Sequence, residues 1–257
     1  MLPELIHIKQ LSSDSENFDL QLDQLLKWES DSTLKIDQLV SSILIDIRRK
    51  GDDALIKYTR KFDGRDISDI EELVVSREEM REALDGIKDI EREALAFASK
   101  RILDYHQHQK LESWSYSDAD GTLLGQQITP LGRVGIYVPG GKASYPSSVL
   151  MNALPAKVAG VGEIVMTVPA PRGELSPLVL AAAAIAGVDQ IFTLGGAQAI
   201  GALAYGTKTI HKVDKIVGPG NIYVATAKRM VFGHVGLDMV AGPSEILVIC
   251  DGATDPD

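Results

Sequence analysis

The sequence predicts an α/β protein: a parallel sheet with helices on its faces, preceded by a helical N-terminal segment. Two observations carry this. From about residue 130 onward, short apolar runs alternate with glycine-rich turns and alanine-rich helical stretches, and such β-α alternation implies parallel strands with helices on both faces. The first 110 or so residues are instead charged, glycine-poor and helically patterned.

The elements follow in order. Leu34, Leu39, Val40, Ile43, Leu44 and Ile47 recur on one helical face, in a helix expected to start after Asp31/Ser32 and stop at Gly51. A second helix is expected from Asp52. Ser76-Arg77-Glu78-Glu79 reads as a capping box opening a third, because a serine at the N-cap and a glutamate three residues on satisfy each other's backbone N–H groups. A long helix is expected over 87–108. SWSYS and TLLGQQI flank Asp118-Ala119-Asp120-Gly121, a hairpin signal with Asp-Gly as turn former. Strands are expected at 134–138, 164–168, 190–194, 215–217 and 245–250, with helices near 146–160, 177–186, 197–205 and 221–232. Pro146 and Pro177 suit a first helical turn, the latter behind Ser176 as an N-cap candidate.

Bulk composition narrows the function classes. With 257 residues, 45% hydrophobic and 24% charged, the chain is long enough to bury a substantial core. A net charge of −10 without a basic patch argues against nucleic acid or an anionic membrane surface as partner. The lone Cys250 excludes an internal disulfide, and the N-terminus lacks the basic and apolar regions of a secretory signal. The most apolar run, 178–186, falls far short of the roughly 20 residues of a membrane span. A cytoplasmic protein is the expectation.

In an open parallel sheet, ligands bind beyond the carboxyl ends of the strands. Here "YVPGG", "LGGAQAIG" and "VGPGN" occupy those loops. Glycine lets backbone approach a ligand, and the following helix N-terminus favours an anion, so the set points to a phosphate-bearing cofactor. None completes G-x-G-x-x-G or a Walker A motif, and each glycine read alone also serves a tight β-α turn. Gln198 and Asn221 stand at helix starts, where an amide can hold a ribose or phosphate, although Asn221 equally suits an N-cap. Tyr137, at a strand end, can stack on a ring or fill core. His106 and His108 are two apart on a helix and face different ways. His7, His211 and His234 lack ligand partners at metal spacing, and Cys250 reads as a small buried hydrophobe. Residue chemistry alone therefore gives a cofactor surface and no catalytic group.

Four long segments, "GRVGIYVPGGKASYPSSVLMNALPAKVAGV", "GGAQAIGALAYGT", "KIVGPGNIYVATAKRMVFG" and "DMVAGPSEILVICD", resemble the histidinol dehydrogenase family in order and spacing, and "RRKGDDALIKYTRKFDG" resembles its opening segment. The resemblance runs from about Leu34 to the last residue. It implies a zinc-dependent, NAD-linked homodimer that oxidises L-histidinol to L-histidine through an aldehyde, in the last steps of histidine biosynthesis. It assigns NAD contacts to Tyr137, Gln198 and Asn221 and a substrate contact to Ser244. It implies incomplete dinucleotide-binding-type α/β domains with interleaved segments: an N-terminal extension (1–33), a first domain (34–136 with 246–257) that lacks its C-terminal half here, and a second, NAD-binding domain (137–245). The family's zinc ligands and acid–base residues correspond to positions beyond Asp257, so no catalytic or metal residue is assigned here. The expectation is an N-terminal portion that is inactive alone. A non-catalytic NAD- or ligand-binding module, or one half of a split enzyme, is the alternative.

Overall fold

The computed structural model describes residues 10–26, 29–140 and 145–242. In chain order the helical N-terminal segment comprises α1 (Phe18–Leu26), α2 (Glu29–Lys50) and α3 (Asp52–Asp63), then a 3-10 turn (Ile70–Leu73) leading into a short strand β1 (Val74–Val75), and then α4 (Arg77–Gly86) and α5 (Asp89–Gln107). A hairpin follows, β2 (Trp114–Ser117) and β3 (Leu123–Gln126). The alternating part is β4 (Arg133–Tyr137), α6 (Pro146–Val158), β5 (Glu163–Thr167), α7 (Pro177–Ala186), β6 (Gln190–Phe192), α8 (Gly196–Tyr205), β7 (Lys215–Val217), α9 (Ile222–Val231) and β8 (Gly236–Leu237). No helix among the described residues is long and apolar enough to cross a membrane.

The main sheet has the order β1-β6-β5-β4-β7-β8. Its neighbours from β6 to β8 are parallel, and β1 pairs antiparallel with β6 at the edge. β4 is central, with β5 on one side and β7 on the other, and the strand order reverses about it. Helices cover both faces. α2, α3, α8 and α9 pack together on one side, and α4, α5, α6 and α7 on the other. Each face has its own core: Val40, Ile47, Leu55, Ile200 and Leu203 close over Tyr137, Val165 and Ile216, whereas Leu150, Leu154 and Val179 close over Val134, Ile136, Ile164 and Met166. Strand residues alternate between the two cores as a period of two requires. Helices from the first hundred residues thus lie on both faces of the sheet built by residues 133–237.

Local chemistry explains the boundaries. The Ser76–Glu79 capping box forms as expected, with Glu79 N–H donating to Ser76 Oγ at 3.1 Å and Ser76 N–H to Glu79 Oε2 at 2.7 Å. α3 ends at Gly64 in the left-handed conformation. Four expectations need correction. The helix expected to start after Asp31/Ser32 begins at Glu29, so both residues lie within α2. Ser176 occupies the N-cap of α7, but its side chain makes no capping bond; Pro177 at the first position already removes one of the N–H groups to be capped. The helix expected from residue 87 begins at Asp89, because Ile87 is extended and buried between α4 and α5 while Glu91 accepts from the Lys88 N–H. The strand expected to reach 194 ends at Phe192, where the Thr193 N–H turns to the carbonyl of Leu73, just before β1. The hairpin pairs Trp114 with Gln126 and Ser117 with Leu123, as its turn predicts. The strand expected at 245–250, with Ser244 and Cys250, lies outside the described residues.

Candidate functional site

β4, β5, β6 and β7 deliver their C-terminal loops to one edge of the sheet. These loops enclose a cavity of about 390 Å³ lined by Tyr137, Pro139 and Gly140 after β4, Pro169 after β5, Gly195 to Gln198 around the start of α8, and Asn221 and Tyr223 at the start of α9. The opposite wall is not part of the alternating segment: Leu39 and Ile43 of α2 and Phe62 and Asp63 of α3 complete it. The cavity sits where strand order reverses, the place at which open α/β sheets bind ligands.

Tyr137, Gln198 and Asn221, drawn from three separate loops, meet at this cavity. The Tyr137 ring is core as well as lining, only 2% exposed, and its hydroxyl accepts from the Gly196 N–H at 3.2 Å. Burial pushes the phenol up to about 12, the Gly196 N–H working the other way and the charge of Asp63 adding to the rise, so the hydroxyl stays protonated and retains a proton to donate. Gln198, in the first turn of α8, is buried at 2% exposure, and its amide has no hydrogen-bond partner among the described residues. Gly196 makes room for it. Its φ is +65°, and a Cβ there would meet Gln198 Oε1 at 2.8 Å.

Asn221 resolves its two readings by using different atoms. Its Oδ1 caps α9, accepting from the N–H groups of Tyr223 and Val224 at 3.1 Å each. Its Nδ2 donates to nothing among the described residues and is available to a ligand. The N-termini of α8 and α9, each ten residues long, both line the cavity, so two positive helix ends face the same space.

The loop bearing Asn221 is held by a partly buried ion pair that motif reading missed. Lys228, 5% exposed on α9, donates to the Gly218 carbonyl at 2.9 Å and pairs with Asp238, whose other oxygen accepts from the Gly218 N–H at 2.9 Å. Both peptide groups flanking the Gly218 α-carbon are thereby fixed. Burial by itself would raise the Asp238 carboxyl, but donation from Lys228, Gly218 and Met239 brings it below the usual range. Gly218 itself has φ +113°, and a Cβ would lie 2.1 Å from the Tyr137 carbonyl oxygen, so only glycine lets this turn press onto β4.

Asp63 was also missed. It is the one carboxylate lining the cavity among the described residues. The signal available in sequence was an acid in the last turn of a helix that stops at glycine, where the dipole favours a base. No group of three or more metal-binding side chains occurs among the described residues. His106 Nδ1 is instead paired with Gln109 Oε1 at 2.6 Å.

Comparison with known proteins bears on this geometry. Residues 26–257 match the family model described as histidinol dehydrogenase. The chain is 61% identical over 250 residues to the histidinol dehydrogenase of Pseudomonas savastanoi pv. phaseolicola, an alignment covering 97% of this chain and 56% of that protein. It is 55% identical over 253 residues to that of Hydrogenovibrio crunogenus, covering 98% and 58% respectively. The crystal structure of histidinol dehydrogenase from Elizabethkingia anophelis superposes with a TM-score of 0.75 at 38% identity, covering 80% of this chain and 48% of that one. The chain spans little more than half the length of the curated relatives it matches. A family model matched over residues 26–257 and 61% identity over 97% of the chain place the chain in the histidinol dehydrogenase family.

Proposed function

We propose that this chain supplies the NAD-holding part of a histidinol dehydrogenase, an oxidoreductase that converts L-histidinol to L-histidine through an aldehyde. The observation that carries the reading is the convergence of Tyr137, Gln198 and Asn221 from three loops on one cavity at the sheet's reversal point. NAD, when bound, accepts a hydride in each of the two oxidations. The first removes a hydride and a proton from the alcohol carbon and oxygen. After water adds to the aldehyde, the second would remove a hydride from the hydrate carbon and a proton from one of its hydroxyls, leaving the carboxylic acid.

The residues of this chain bind and orient. The helix N-termini at Gly196 and Ile222 suit the diphosphate, and the amides of Gln198 and Asn221 suit ribose or carboxamide groups. Leu39 and Ile43 on one wall and Pro139 and Pro169 on the facing loops give the pocket apolar lining on both sides. The described residues hold no cluster suited to zinc, so no step is assigned through a metal here. Within the same reading, zinc and a homodimer belong to the whole protein, Ser244 contacts the substrate, and the setting is cytoplasmic. A division into 34–136 with 246–257 and 137–245 also belongs to it, and requires that α2 to α5 contribute to a second body besides packing on this sheet.

Calorimetric titration with NAD tests the reading. Saturable binding that weakens about tenfold in Gln198→Ala is expected, on the scale of a lost hydrogen bond to a buried amide. Unchanged affinity in both Gln198→Ala and Asn221→Ala would remove its basis. Whole-protein kinetics complete the test, with Ser244→Ala raising KM for histidinol.

A further inference from the structure

Asp63 is held in a place that the fold does not repay. It is the last residue of α3, where the helix dipole is negative, and its side chain lines the cavity. Its Oδ2 is buried, and no donor among the described residues reaches it. Arg65, two residues on, is committed elsewhere: its guanidinium donates to Thr193 Oγ1 at 2.6 Å and to the Glu72 carbonyl at 3.1 Å. It therefore acts on Asp63 only through space. Burial, offset in part by that charge, pushes the carboxyl up to about 6. A structural carboxylate normally shows the donors that justify its burial. This one shows none, and it faces a ligand pocket.

The missing partner must bring O–H or N–H donors and no negative charge. A dinucleotide with its diphosphate at the two helix ends carries ribose rings on either side of it. A carboxylate at the wall of the pocket can accept from vicinal ribose hydroxyls, as acidic residues do in other dinucleotide folds. A phosphate ester on one of those hydroxyls removes a donor and sets like charges together. We propose that Asp63 accepts hydrogen bonds from the vicinal hydroxyls of a ribose of the bound dinucleotide and repels a 2′-phosphate, making it the residue that selects NAD over NADP. This rests on the NAD reading above.

The test is calorimetric titration of the protein with NAD and with NADP, for wild type, Asp63→Asn, Asp63→Ala and Gln198→Ala. Asp63→Asn keeps the shape of the side chain, and its melting curve checks that the fold is intact. Wild type is expected to favour NAD. Both Asp63 variants are expected to weaken NAD roughly ten- to hundredfold and to narrow the NAD/NADP preference by at least about tenfold, as loss of charged hydrogen bonds predicts. Wild-type affinity for NAD should also fall between pH 7.5 and 5, with no such fall in Asp63→Asn. Folded Asp63 variants that keep wild-type affinity and preference overturn the assignment. If they do so while Gln198→Ala weakens NAD, only this assignment falls. If wild type binds neither nucleotide, the NAD reading falls with it.

Discussion

The Gly196 N–H donates to the Tyr137 hydroxyl across 3.2 Å, tying the end of the central strand to the first turn of α8. The bond joins two loops that sequence motifs had marked separately, and it sets the spacing of the cavity's upper wall. Tyr137→Phe removes the acceptor and leaves a cavity-facing N–H to water. A loss of about 1 kcal/mol is expected, with a fall in melting temperature of roughly 2–4 °C and weaker NAD binding. Thermal melts and NAD titration of the variant check this. An unchanged melting temperature would show that the bond contributes nothing.

The Lys228–Asp238 pair holds the Asn221 loop through Gly218. Lys228→Met leaves the Gly218 carbonyl without its donor and the Asp238 carboxylate with only the Gly218 and Met239 N–H groups, an expected loss of about 1–3 kcal/mol. Pairing it with Asp238→Asn should recover part of that loss, because the stranded charge is gone. Urea denaturation of the two single variants and the double variant measures the coupling, and strict additivity would count against a brace.

The same pair has a pH signature. Asp238 titrates below its unfolded value, so its contribution is present above about pH 4 and is lost as the pH falls through its lower folded value. Acid titration monitored by circular dichroism should show less acid destabilisation in Lys228→Met than in wild type, since that variant has already lost the interaction.

Gly218→Ala forces a Cβ to within 2.1 Å of a backbone oxygen at φ +113°. Neither atom belongs to a flexible side chain, so the turn itself must move. Destabilisation of about 2–4 kcal/mol is expected, with a melting temperature lower by roughly 5–15 °C. NAD affinity should fall further than stability explains, because Asn221 moves with the turn. Wild-type stability in this variant would mean that the turn relaxes without cost.

Asp63 acts on stability in the opposite sense to Asp238. Its folded value near 6 exceeds the ordinary carboxylate value, so the ionised form is penalised in the folded state. Its cost is absent below about pH 4, grows as the pH rises from about 4 to 6, and is constant above that. At pH 7, Asp63→Asn should be more stable than wild type by about 1–2 kcal/mol, after allowance for partial solvent access, and the gain should vanish near pH 4. Chemical denaturation of both proteins at the two pH values decides it.

Much of the fold was legible because it rests on local physics. Periodicity placed most of α2, Asp52 after Gly51 marked the start of α3, the Ser76 and Glu79 pair located α4, Asp-Gly located the β2–β3 turn, and glycine-rich punctuation separated the parallel strands. Where boundaries slipped, long-range contacts decided. Thr193 left its strand to bond Leu73, and Ile87 was buried between two helices rather than opening one. The strands β1 and β8, two residues each, carry too little periodic signal to be read and exist through their sheet partners.

By itself the sequence determined the alternation of elements, the three cavity loops with Tyr137, Gln198 and Asn221, and the family, since each is written in contiguous residues. Only the tertiary structure decided what faces those loops. Asp63 and Phe62 lie far upstream of the motifs and reach the cavity because α2 and α3 pack against α8. Lys228 and Asp238 find each other across the β7–α9 turn and there clamp Gly218. A carboxylate's meaning depends on whether a donor stands within about 3 Å of it, and that distance is set by packing between segments remote in sequence.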